Sequence, residues 1–368
     1  MSKVPELMTT VSGEKITNAV DWETFRRKEI LSMFEEYVYG VRDIERPENL
    51  YFKVLKETEI YGMKTKEIEV GFDDFSFTFT LYLPKKIKKP MPAFVFVGNE
   101  FIAREYKFND EGNLGIEGTE KQVPLKDITD RGFALAFMPT RDIYRDWELR
   151  ANFKQGVFSA VKNQKGRQKN SWATISAWAW GTSRVLDYLE TDKDIDSANV
   201  AVMGHSRGGK TALWAAATDT RFKLAVSNNS GCMGAALLRG KEGEHIKDIN
   251  MTDWFCENFQ AFNEHEEMLP VDQHMLLALI APRYIYVTSS VLDTWADPQA
   301  EFRACHLATE AFRIYGWMPG IEAPEDKPEL EVPYHDGHIA YHMKQGGHSL
   351  TRYDWDNVMD YFVKIIQK

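Results

Sequence analysis

In a chain of 368 residues, Gly204-His205-Ser206-Arg207-Gly208 satisfies the pattern G-x-S-x-G. It follows the apolar run Val200 to Met203 and precedes a helix-like stretch from Lys210 to Ala217, so the serine falls in a strand-to-helix turn. Such a turn needs small residues on both sides for close backbone approach, and it lifts the serine above a sheet at a helix N-terminus. A serine held there becomes a nucleophile when a base takes its proton and an acid orients that base. The chemistry would be acyl transfer.

On α/β-hydrolase sheets the partners follow in the order serine, acid, histidine. Asp293 lies a few residues beyond the apolar run Tyr284 to Thr288, where an orienting acid leaves the sheet, and Asp297 is its nearby competitor. His348 sits in Gln345-Gly346-Gly347-His348, a glycine-loosened loop before a closing helix from Asp354 to Ile366. Of the nine histidines it alone has the placement of the base. His335, His338 and His342 are spaced like metal ligands. On a helix His338 and His342 would be one turn apart and able to chelate zinc; on a strand they would share a face, with His335 pointing away. The segment lacks H-E-x-x-H and reads as an ordinary strand, so no metal and no cofactor is assigned. Arg207 and Lys210 place two cations beside the serine, which suits developing negative charge or a carboxyl-bearing sugar. A second oxyanion donor is expected from Gly98-Asn99-Glu100, with Asn99 as the candidate.

The elements that must position these residues are legible in the apolar pattern. Ala93 to Val97, Phe133 to Met138, Val200 to Met203, Leu224 to Val226 and Tyr284 to Thr288 are short, nearly continuous apolar runs. Strands covered by helices on both faces look like this, which predicts a mostly parallel sheet. The stretch Ser171 to Glu190 between them has helical spacing, with Trp172, Ile175, Trp178, Val185, Leu186 and Leu189 on one side. Lys66 to Phe72 and Ser76 to Leu83 alternate strictly, which predicts an antiparallel hairpin at one sheet edge. Asp21 to Tyr39 reads as an amphipathic leading helix with Asp21 as N-cap and Gly40 as stop. The fold class is therefore α/β, doubly wound, with helices on both faces. One domain over 1–368 is expected, with 1–60 as a leading helical segment and 239–270 as a polar insertion over the site. Lys85 to Lys89 reads as a solvated turn.

Composition narrows the partners. With 55 acidic against 45 basic side chains the net charge is −10, which argues against nucleic acid or an anionic membrane as the main partner. Three cysteines, Cys232, Cys256 and Cys305, cannot all pair within the chain and fit no close metal spacing. The amino terminus has no apolar run long enough for a signal-peptide core. The chain as it stands is expected to be cytoplasmic, or secreted or periplasmic if a leader was removed. Oligomeric state is not legible.

With those residues in view, Gly204-His205-Ser206-Arg207-Gly208-Gly209-Lys210 resembles the G-C-S-R-x-G-K signature of glucuronoyl esterases. These are α/β-hydrolase carbohydrate esterases that cleave esters between 4-O-methyl-glucuronic acid of xylan and lignin alcohols. The resemblance continues through Ser227 to Gly231, Gly243-Glu244, Trp254-Phe255, Leu269 to His274, Asp293-Thr294-Trp295 and Gly346-Gly347-His348. It implies Ser206 as nucleophile, His348 as base and Arg207 at the oxyanion, with Lys210, Glu244 and Trp295 contacting the glucuronoyl sugar. Glucuronoxylan or a glucuronate ester is then the expected substrate. Two positions depart from the family. Many members carry the triad acid as a glutamate in the segment matching Asn228-Asn229-Ser230; here the residue is Asn229, so the acid must come from Asp293. Fungal members pair a cysteine before the serine with one after the histidine; here His205 and Ser349 stand there. An acetyl esterase acting on decorated xylan or on a small acetylated metabolite is the alternative within the class, and a catalytically silent carbohydrate-binding relative the alternative outside it.

Overall fold

The computed structural model describes residues 3–98, 106–116, 122–145, 153–161, 166–249, 253–316, 318–325 and 327–367. The main sheet is assembled from β1 (Tyr51–Ile60), β2 (Met63–Phe72), β3 (Phe75–Pro84) and β4 (Met91–Gly98), joined by five later strands. After β4 in the chain comes a small antiparallel sheet of β5 (Tyr106–Phe108), β6 (Leu114–Ile116) and β7 (Gln122–Val123). The later strands are β8 (Ala134–Pro139), β9 (Ile195–His205), β10 (Leu224–Asn228), β11 (Tyr284–Ser290) and β12 (Ile339–Lys344). Their order is β1-β2-β3-β8-β4-β9-β10-β11-β12, antiparallel up to the β3–β8 pair and parallel from β8 to β12.

Period-2 alternation explains why the central runs are apolar throughout. Ala93, Val95 and Val97 face one core while Phe94 and Phe96 face the other, and no side is left for water. Helices Thr174–Leu189, Arg207–Thr218 and Pro298–Arg313 cover the first face; Leu125–Asp130 and Arg352–Ile366 cover the second. After β4 the chain turns first to β8 and then crosses back to β9 on its other side, so the carboxyl ends of β4 and β9 flank a switch point. Open α/β sheets place their ligand crevices there.

Several sequence expectations need correction. Residues 1–60 are not a helical segment throughout, because Tyr51–Ile60 is a strand and forms the true sheet edge. The antiparallel edge thus has three strands instead of a hairpin's two. The leading helix begins at Ala19, capped by Asn18, whose Oδ1 accepts from the Asp21 N–H at 2.9 Å. It contains two wide π-type turns, Trp22–Arg26 and Glu35–Tyr39, which rotate its apolar stripe and leave Phe25 60% exposed. Helix Thr174–Leu189 is buried all round, not along one stripe, and Trp172 precedes it. The leading helix holds the 253–262 segment in place. Cys256 N–H donates to Val38 O at 2.8 Å, and the Asn258 amide donates to Glu36 O at 3.0 Å. The rings of Tyr37 and Phe262 meet edge to face at 5.9 Å.

Candidate active site

Ser206 closes β9 and caps helix Arg207–Thr218 with φ +57° and ψ −126°, a disfavoured conformation for a non-glycine residue. Its neighbours make that turn possible. A Cβ on Gly204 would lie 2.2 Å from the Gly208 carbonyl carbon, and one on Gly209 would press on Ser227 and Ser230 at 3.0 Å. The Ser206 N–H donates to Asn228 O at 2.8 Å, which ties the turn to β10. Ser206 itself is half-buried.

His348 Nδ1 lies 2.7 Å from Asp293 Oδ2, and the His348 ring packs at 4.5 Å on that of His205, the residue before Ser206. The same Asp293 oxygen accepts from Asn229 Nδ2 at 2.9 Å, and Asp293 Oδ1 takes the Ala296 N–H at 3.3 Å. Burial alone would raise the Asp293 carboxyl. The hydrogen bond and charge of His348, with the Ala296 and Asn229 donors, outweigh it and hold the group below the ordinary carboxylate range. Asp297 does other work. Its Oδ1 caps helix Pro298–Arg313 through the Ala300 N–H at 2.9 Å and its Oδ2 accepts from the Glu242 N–H at 2.8 Å.

The acid and base loops are fastened together. Val291 N–H donates to Lys344 O and Leu292 N–H to Gly346 O, at 2.9 and 3.0 Å. The buried Lys344 ammonium donates to Ser290 Oγ at 2.9 Å and to Ser349 O at 2.7 Å, and pairs with Asp354 Oδ2 at 3.2 Å. Ser290 Oγ in turn accepts from Asn229 Nδ2 at 2.9 Å. Glu301, fully buried, takes the N–H groups of Ser230 and Gly231 at 2.9 Å each and the Ser289 hydroxyl at 2.6 Å. Burial pushes its carboxyl up to about 7 in spite of those donors. Nothing in the sequence marks Ser290, Lys344 or Glu301, since lone Ser, Lys or Glu residues tens of positions from their partners form no motif.

Glu244 gathers the remaining candidates. Its Oε1 accepts from Trp295 Nε1 at 3.0 Å and its Oε2 lies 3.5 Å from Lys210 Nζ. Lys210 is buried and also donates to Ser230 O at 2.5 Å and Cys232 O at 2.6 Å, so its three N–H bonds already face protein acceptors. Trp295 is 56% exposed. The Arg207 guanidinium and the Lys210 ammonium lie 5.5 and 5.8 Å from the ring of Trp254, a residue for which the family resemblance implies no role. Asn99 lies outside the described residues.

The three spaced histidines follow the expected strand in part: His338 and His342 turn to the same side of the sheet, but His335 does not point away. His335 Nε2 and His342 Nδ1 both meet the Tyr286 hydroxyl, at 2.7 and 2.9 Å, while His338 stacks on Tyr284 at 4.4 Å. Tyr284 and Tyr286 lie on one face of β11, so all three histidines gather there, with His338 just before β12 and its Nδ1 2.8 Å from Pro282 O. Among the described residues no group of three side chains could hold a metal ion.

The chain is similar to several known proteins. A family model described as fungal glucuronyl esterase matches residues 140–318. A carbohydrate esterase from an unknown prokaryotic organism is 36% identical over 97% of this chain and 88% of its own length. Among solved structures, a glucuronoyl esterase from Solibacter usitatus superposes with a TM-score of 0.85 at 30% identity, covering 99% of this chain and 98% of that one. A promiscuous esterase of carbohydrate esterase family 15 from a marine bacterial metagenome gives a TM-score of 0.84 at 33% identity, covering 99% and 97%.

Proposed function

Because the chain belongs to the glucuronoyl esterase family, we propose that it hydrolyses esters of 4-O-methyl-glucuronic acid on xylan through an acyl-enzyme on Ser206. The observation that carries the mechanism is the His348–Asp293 contact of 2.7 Å, with the His348 ring seated against the residue that precedes Ser206. Asp293 accepts at Nδ1, which fixes the imidazole tautomer with its lone pair on Nε2. Ser206 Oγ attacks the C6 carbonyl of the glucuronate ester and passes its proton to Nε2. Arg207, with Asn99 as the second donor, stabilises the oxyanion. His348 returns the proton to the leaving alcohol, and water repeats the sequence to release the glucuronate.

Glu244 and Trp295 face the sugar in this reading, the carboxylate toward its hydroxyls and the exposed indole toward the pyranose face. Lys210, whose donors are taken by protein oxygens, positions Glu244 instead of touching the sugar. The test is a pair of assays, a benzyl glucuronate ester beside para-nitrophenyl acetate. Glu244→Gln and Trp295→Ala should each lower kcat/KM on the glucuronate ester by about 1 to 3 kcal/mol in transition-state terms and leave the acetate unchanged. Equal losses on both substrates would show that the pair supports the fold. Faster turnover of the acetate by the wild type would favour an acetyl esterase, a reading that the promiscuity named for the marine relative keeps in play.

A further inference from the structure

The chain carries ten more acidic than basic side chains, yet one end of the sheet reverses that sign. A groove of about 770 Å³ opens between the β1–β2 turn, the end of β3 and the start of β4, within the size range of ligand sites. Lys85, Lys86, Lys88, Lys89, Lys126 and Arg131 line it, against the single carboxylate of Asp130. Lys85 pairs with Glu59, Lys126 with Asp130 and Arg131 with Asp360. No salt bridge among the described residues reaches Lys86, Lys88 or Lys89. Met91 and Pro92 add apolar surface to the walls.

Tyr61 also lines this groove, and its backbone gives it weight. Ile60 pairs with Met63, so Tyr61-Gly62 is a two-residue hairpin loop, and both residues have positive φ, +48° and +77°. Loops of this mirror-image type favour asparagine, aspartate or glycine at the first position, because a bulky L side chain crowds the backbone there. A tyrosine works against the turn. Its ring meets Phe108 at 5.3 Å, and the residue stays 49% exposed. An aromatic kept in a strained turn beside unpaired cations is an observation that runs from strain to function.

The groove sits at the amino ends of β4 and β8, while Ser206 follows the carboxyl end of β9, which runs parallel to β4. The eight residues of β4 set the two ends about 25 Å apart. We propose that the groove is a second binding site, for a polysaccharide that bears uronate carboxylates. The lysines take the carboxylates and the Tyr61 ring takes a pyranose face. The preference for a sugar acid over other polyanions rests on the esterase reading, whose product is a chain carrying a free glucuronate.

The experiment uses the Ser206→Ala protein and ester-free polymers, so that binding is read without turnover. Dissociation constants are measured for de-esterified glucuronoxylan, polygalacturonate, neutral arabinoxylan and inorganic polyphosphate at one ionic strength. One or both uronate polymers should bind, their ratio naming the source, and arabinoxylan should not. The Lys86→Gln/Lys88→Gln/Lys89→Gln variant should weaken uronate binding at least tenfold. Tyr61→Asn, which suits the turn better, should weaken it at least threefold without lowering Tm. In the Ser206-containing protein, both changes should leave turnover of a small glucuronate ester as it is. That assay separates failure of this site from failure of the esterase reading. Wild-type binding by the triple variant would overturn the proposal. So would polyphosphate binding as tight as uronate binding and indifferent to Tyr61→Asn, which would mark general anion attraction.

Discussion

Asp293 and Asp297 lie four residues apart in one loop, and their partners give them different work. Asp293 meets His348, whereas Asp297 spends both oxygens on backbone N–H groups at the start of helix Pro298–Arg313. Asp293→Asn should therefore lower kcat on the order of 10⁴-fold, as loss of an orienting carboxylate leaves the imidazole in the wrong tautomer. Asp297→Asn should keep kcat near wild type and cost at most about 1 kcal/mol of stability through a weakened cap. The reverse result would move the role along the loop. Asn229 matters more than a simple absence of glutamate suggests, since its amide donates to the Asp293 oxygen that also faces His348. Losing a hydrogen bond to a charged group costs about 1.5 to 3 kcal/mol, and Asn229→Gly, which tolerates the local φ of +45°, should show that loss in kcat/KM without backbone strain.

At the scale of elements, Asp354 joins three pieces of chain. Its carboxylate completes a capping box with Thr351 at the head of helix Arg352–Ile366, pairs with Lys344 and His342 of β12, and accepts from Asn228 of β10 at 3.3 Å. Burial would raise this carboxyl; the hydrogen bond and charge of His342, with Lys344 and the Thr351 N–H, outweigh it and hold the group below the ordinary carboxylate range. Removing one member of such a buried pair leaves the other uncompensated, so Asp354→Asn should cost about 3 to 5 kcal/mol in urea unfolding at neutral pH. The stabilisation from a depressed carboxyl is present above its unfolded value and is lost as pH falls through its folded one. The gap between wild type and variant should accordingly narrow below pH 4, and a gap that stays constant there would contradict the pairing. Legibility in the sequence follows the same physics. The strands β4, β8, β9, β10 and β11 announce themselves because burial on both faces demands unbroken apolar runs. The strand β1, with Tyr51, Val54 and Leu55 each 42% exposed, is fixed by pairing with β2 and not by burial of its own, so its sequence gives no strand signal. The leading helix was legible as a helix, but the π-type turns that aim its faces leave no periodic trace. Ser206 and His348 were legible because tight turns select glycine nearby, whereas Lys344 reaches Ser290 across 54 residues with nothing local to mark it.

For the molecule as a whole, the sheet sets two chemistries at opposite ends of its parallel strands. At the carboxyl ends lie the strained Ser206, the His348–Asp293 pair and the Lys210–Glu244–Trp295 group, while the lysine-lined groove lies at the amino ends. The apolar layers on either face let the first end hold a strained turn and several buried charges, because the strands and helices beneath them are covered on both sides. The central claim is that ester hydrolysis passes through Ser206 Oγ. The measurement that tests it most directly is kcat for Ser206→Ala on a benzyl glucuronate ester, with urea unfolding run beside it. Ser206 is half-buried and no hydrogen bond ties its hydroxyl to a core group among the described residues, so stability should stay within about 0.5 kcal/mol of wild type, while kcat should fall at least about a thousandfold. A folded Ser206→Ala protein that retains more than about a tenth of wild-type turnover would contradict the account.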